Sequence, residues 1–67
     1  MLDNMLKQIR MQQFMMSREE FASNILKIGT QQYCRYERNA SQPSLEIAIR
    51  ISNTLNKTVN EIWRIAD

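Results

Sequence analysis

The residues from Leu45 to Asn56 limit the possible folds more than any other stretch. Leu45, Ile47, Ala48, Ile49, Ile51 and Leu55 make it apolar around more than half of a helical circumference, which predicts a central helix covered on several sides. Its start is marked twice. Pro43 biases Gln42 toward extended backbone, and Ser44 supplies a side-chain oxygen that caps a helix beginning at Leu45. A buried central helix in a chain of 67 residues leaves room for one domain, residues 1–67, with one small core. A core of that size buries roughly 60% of the surface of the unfolded chain. With one Gly, one Pro, two Phe, two Tyr and one Trp, long loops and a strand-rich sandwich are both disfavoured. The expected class is all-α, a compact domain of five helices.

The other helices are predicted from periodicity and caps. Leu2, Met5, Leu6 and Ile9 recur at steps of three or four and predict helix one from Leu2 to about Gln13, with Arg10 near the edge of the buried stripe. Phe14-Met15-Met16 breaks that period. Ser17 and Glu20 then form a capping box, so helix two starts at Arg18, buries Phe21, Ala22, Ile25 and Leu26, and ends near Lys27. Helix three follows Gly29 and runs from about Thr30 to Arg38, where Asn39, tolerant of left-handed backbone, is expected to end it. Thr58 and Glu61 form a second capping box, which opens helix five from Val59 to about Ile65.

Helix three has two chemically different edges. Tyr33 and Tyr36, three apart, fall on one side, whereas Thr30, Gln31, Gln32 and Arg35 spread over the other. Gln and Arg make bidentate pairs with adenine and guanine edges in the DNA major groove, so this edge fits either a reading head or an ordinary solvated face. The formal net charge of +2 is compatible with nucleic acid without requiring it. Other chemistries have less behind them. Cys34 has no second cysteine to pair with, the chain has no His, and Glu19-Glu20 belongs to a helix start where the macrodipole favours acids. Neither a metal, a cofactor nor an enzyme activity is expected. The five Met, at 1, 5, 11, 15 and 16, are read as core filling rather than a protein-binding surface. With no apolar run approaching about 18 residues and no leader pattern, a cytoplasmic location is expected.

Five segments then meet a known pattern: Met5-Leu6-Lys7-Gln8-Ile9-Arg10, Ser17-Arg18-Glu19-Glu20-Phe21-Ala22, Tyr36-Glu37-Arg38-Asn39, Pro43 to Ile51, and Leu55 to Trp63. In this order they resemble the Cro and phage-repressor type (xenobiotic-response-element type) helix-turn-helix family of small bacterial and phage transcription regulators, from about Met5 to Ile65. The resemblance implies a lambda-repressor-like fold, with helix three in the major groove and helix two across the backbone. It also implies an ion pair between an Arg late in helix one and a Glu at the end of helix three, here Arg10 and Glu37. Two departures stand out. The turn before Ser17 is one residue longer than usual and lacks the family's Gly, and the spacing from Phe21 to Glu37 is also one residue longer. An extra residue there is able to rotate helix three, which leaves open which of Thr30, Gln31 and Gln32 faces the bases.

On that resemblance the expected function is sequence-specific double-stranded DNA binding by a transcriptional repressor. Thr30, Gln31, Gln32 and Arg35 are the expected base contacts. Arg18, Arg38, Asn39, Gln42 and Ser44 are the expected phosphate contacts, while Tyr33 and Tyr36 are assigned to the core. Because a domain this small makes few contacts, a homodimer on a pseudo-palindromic operator is expected, joined through Ile62, Trp63 and Ile65. The competing reading is a small helical adaptor or antitoxin-like protein that binds another protein and no DNA.

Overall fold

The computed structural model describes residues 2–65 and begins with a strand rather than a helix. β1 (Leu2–Asn4) pairs antiparallel with β2 (Trp63–Ile65), in the register Leu2 with Ile65, Asp3 with Arg64 and Asn4 with Trp63. Helix one therefore does not start at Leu2, and helix five does not reach Ile65. The reasons are local. The Asn4 side-chain oxygen accepts from the Leu6 amide at 3.0 Å and starts the helix there, while Trp63 turns extended, at φ −113° and ψ 142°, after one capped turn. The ribbon passes directly into helix one, because the Met5 amide donates to the Ile62 carbonyl at 2.8 Å.

Between the strands lie five helices. α1 (Leu6–Ile9) continues as a wide π-type turn over Arg10–Phe14, and α2 (Arg18–Glu20) continues in the same way over Phe21–Leu26. α3 spans Thr30–Glu37, α4 Leu45–Leu55 and α5 Val59–Ile62. The caps expected from sequence are present. Ser17 accepts from the Glu20 amide at 3.2 Å, Thr58 from the Glu61 amide at 3.2 Å, and Ser44 from the Ile47 amide at 3.3 Å.

Both turns where the sequence is longer than the family pattern follow a π-type turn. Met15 donates back five residues to the Arg10 carbonyl and Lys27 five residues to the Ala22 carbonyl, so each of these hydrogen-bonded rings encloses one more residue than in an α-helix. Both then leave the helix in left-handed backbone, Met15 at φ 51° and Lys27 at φ 57°, a conformation that a side chain disfavours. Asn39 leaves α3 the same way at φ 60°.

Leu6, Ile9, Phe21, Ala22, Leu26, Tyr33, Tyr36, Ala48, Ile51, Leu55, Ile62 and Trp63 form the core. Phe21 is its hub, with the Phe14 ring 5.1 Å away and Tyr33 edge-on at 5.4 Å. α4 is less buried than its composition predicts. Ala48, Ile51, Ser52 and Leu55 face inward, but Leu45 and Ile49 are 73% and 43% exposed, on a side of that helix that no other element among the described residues covers.

Candidate nucleic-acid interface

α3 presents its polar edge outward because its aromatic edge is fixed. Tyr33 and Tyr36 are both buried, which turns Gln31, Gln32 and Arg35 to solvent and leaves Thr30 and Cys34 half-buried. Among the described residues the Arg35 and Arg38 guanidinium groups have no carboxylate partner, so two positive charges stand free along and just beyond the helix. Gln32 differs from its neighbours. Its Nε2 donates to the Tyr36 hydroxyl at 2.6 Å.

The orientation of α3 is set from below by one carboxylate. Glu37 receives Arg10 Nε at 3.1 Å and Tyr33 Oη at 2.5 Å on Oε2, with Arg18 Nε at 3.0 Å and Arg10 Nη2 at 3.5 Å on Oε1. Arg10 spends a further hydrogen on the Met16 carbonyl at 2.8 Å, closing the turn between α1 and α2. The Glu37 side chain is only 3% exposed. Burial alone pushes its carboxyl up, but the hydrogen bonds from Tyr33, Arg10 and Arg18 outweigh that and hold it below the ordinary carboxylate value. Burial and the bond to Glu37 together push the Tyr33 hydroxyl well above its usual range. Burial disfavours the Arg10 charge, yet Glu37 and Tyr33 more than restore it. The four-donor arrangement ties α1, α2 and α3 together.

A second tie was not legible beforehand. Asn4 is buried on β1, and its Nδ2 donates to the Tyr36 carbonyl at 2.9 Å and to Asn39 Oδ1 at 2.8 Å. The terminal ribbon thus holds the C-terminal end of α3, the end that carries Arg35 and Arg38. The available signal was an Asn two residues before the first residue of a helix, a spacing at which its side chain reaches the helix amides.

A helix-turn-helix family model matches residues 6–62, which covers α1 through α5. The chain belongs to the Cro and phage-repressor type helix-turn-helix family. No curated protein matches it. Members of this family are DNA-binding regulators, and α2 packs against α3 here.

In this helix-turn-helix frame the remaining candidates fall at different places. Arg18, at the start of α2, is half-exposed and holds Glu37 through Nε, so only its terminal nitrogens remain for another partner. Asn39 is exposed in position but its side-chain oxygen is taken by Asn4, and its Nδ2 reaches Asp3 at 3.4 Å. Ser44 is committed to capping α4, and Gln42 lines an open groove of about 580 Å³ between the ribbon and the start of α4, together with Leu2, Pro43, Leu45 and Ile65. The interface expected from sequence needs correction at two positions. Ile62 is 0% and Trp63 7% exposed, both enclosed by the chain's own core, whereas Ile65 is 67% exposed. A short ribbon, not the end of a helix, carries that last side chain. No helix among the described residues is long and apolar enough to cross a membrane.

Proposed function

We propose that this chain is a sequence-specific double-stranded DNA-binding transcriptional regulator, a repressor, that reads the major groove with α3. The observation that carries the reading is the solvent-facing edge of Gln31, Gln32 and Arg35 on a helix whose opposite edge is locked by Tyr33, Tyr36 and Glu37. Arg35 reads guanine through N7 and O6, and Thr30 contacts a base or phosphate at the helix start. Arg18, Arg38, Asn39, Gln42 and Ser44 contact phosphates and fix the protein on the duplex without reading sequence. Two copies bind a pseudo-palindromic operator, each contributing its exposed Ile65, with Leu45 across the same groove, to the contact between them.

Selection of binding sites from a random duplex pool tests this. A selected site is expected, bound with an affinity that falls steeply with salt. Arg18→Ala should lower the salt slope by about one unit at unchanged sequence preference, and Arg35→Ala should relax preference at one base pair by about 1–3 kcal/mol. Binding that is absent or insensitive to salt would instead point to a protein-binding adaptor. Sedimentation at micromolar concentration that found monomer alone would overturn the dimer.

A further inference from the structure

Among the side chains offered on the outer edge of α3, Gln32 is held in place before any ligand arrives. Gln31 and Arg35 have no side-chain hydrogen bond among the described residues, but Gln32 Nε2 lies 2.6 Å from the Tyr36 hydroxyl one helical turn away. Tyr36 is itself immobilised. Its ring is 5% exposed in the core, and its carbonyl accepts from the buried Asn4 side chain at 2.9 Å. A free glutamine amide rotates and presents either of its ends, so it must be ordered before it pairs with a base edge. The hydrogen bond to Tyr36 restrains that rotation.

The orientation has a chemical consequence. An amide nitrogen carries two hydrogens, and with one given to Tyr36 the group keeps one N–H donor beside its carbonyl acceptor. Adenine presents the matching pair in the major groove, an acceptor at N7 beside a donor at N6. Guanine offers two acceptors there, thymine an acceptor and a methyl group, and cytosine a single donor, so none of them satisfies both groups. We infer that Tyr36 is a positioning residue that fixes the Gln32 amide as a reader of adenine, an inference that rests on the duplex-reading function proposed above.

The probe is the duplex that the wild-type chain selects from a random pool, with each base pair then substituted in turn and with 7-deazaadenine, which lacks the N7 acceptor, placed at each adenine. Wild type, Gln32→Ala, Tyr36→Phe and the double variant are compared by equilibrium binding. One A·T pair should be preferred by roughly 5- to 150-fold in wild type, and 7-deazaadenine there should forfeit much of that preference. Gln32→Ala should abolish the preference. Tyr36→Phe keeps the ring and should cut it by about threefold or more at that pair alone, with no further effect in the Gln32→Ala background.

A merely structural Tyr36 would weaken binding equally at every position and in both backgrounds, and that result overturns the inference. So does full adenine discrimination in Tyr36→Phe, or a Gln32-dependent pair that is not A·T. Side-chain amide relaxation in the unbound wild type gives a readout that does not depend on the variant folding. Gln32 should be ordered and Gln31 mobile, and a mobile Gln32 overturns the positioning role. Failure to select any duplex would sink the regulator reading itself, whereas a selected site with unaltered discrimination in Tyr36→Phe sinks only the role of Tyr36.

Discussion

Replacing Glu37 by Gln should be among the most damaging single changes available outside the apolar core. The substitution keeps the volume of the side chain but removes its charge and turns one of its acceptors into a donor. Arg10, whose side chain is 10% exposed, then has no carboxylate, and the Tyr33 hydroxyl competes for the single oxygen that is left. Breaking a buried pair by removing one partner costs about 3–5 kcal/mol, because the other charge stays buried. A domain of 67 residues has about 3–10 kcal/mol of total stability, so the loss is about 30% of it at least. At about 4–8 °C per kcal/mol the melting temperature should fall by about 12 °C or more. Arg10→Met is the control. It removes the buried cation and leaves Glu37 with Arg18 and Tyr33, so it should cost less, about 1–3 kcal/mol. Arg18→Ala, which breaks a half-exposed contact, should cost about 1 kcal/mol or less. Thermal and urea unfolding followed by circular dichroism measures all three. The reasoning is refuted if Glu37→Gln is no more destabilising than Arg10→Met.

Four further outcomes are expected. Because the folded state holds the Glu37 carboxyl below its ordinary value of 4.5, its contribution is fully present above that pH and is lost as pH falls toward the folded value, so Arg10→Met should flatten the acid limb of a stability-versus-pH curve. The Tyr33 hydroxyl is raised above its ordinary 10.0, so stability should also decline as pH rises past 10, and pH-jump unfolding should show that loss reduced in Tyr33→Phe. Met15 is 84% exposed in left-handed backbone, and Met15→Gly should stabilise the chain by about 0.5–1 kcal/mol in urea titrations. Asn4→Ala removes three hydrogen bonds from a buried side chain and should cost about 1–3 kcal/mol, with hydrogen exchange quickening at the last turn of α3.

The parts of the fold that were legible in the sequence are those decided within a few residues. Ser17, Ser44 and Thr58 mark helix starts because a capping side chain reaches amides two or three residues ahead, and Asn39 marks a helix end for the same local reason. The inward aromatic edge of α3 followed from helical spacing alone. The ribbon did not, since Leu2 and Ile65 fit a helical period equally well, and only a partner from the opposite end of the described chain makes them strands. Leu45 and Ile49 show the same gap from the other side, because composition says that a side chain is apolar but not whether a neighbour covers it. Which of Thr30, Gln31 and Gln32 the extra residue before α3 turns outward was also undecidable by counting. Spacing measures residues along the chain, and a π-type turn changes how many of them one turn contains.

The ribbon also orders the events of folding. Each helix gathers contacts from residues close by in sequence, but pairing Leu2 with Ile65 requires closing a loop that contains all five helices. The three-residue strands are too short to hold that loop shut before the core between them exists. The ribbon therefore zips last, and mutations in it should speed unfolding while leaving the folding rate unchanged. Since Asn4 seats the far end of α3 only when the ribbon is closed, α3 acquires its final anchor in the last step of folding.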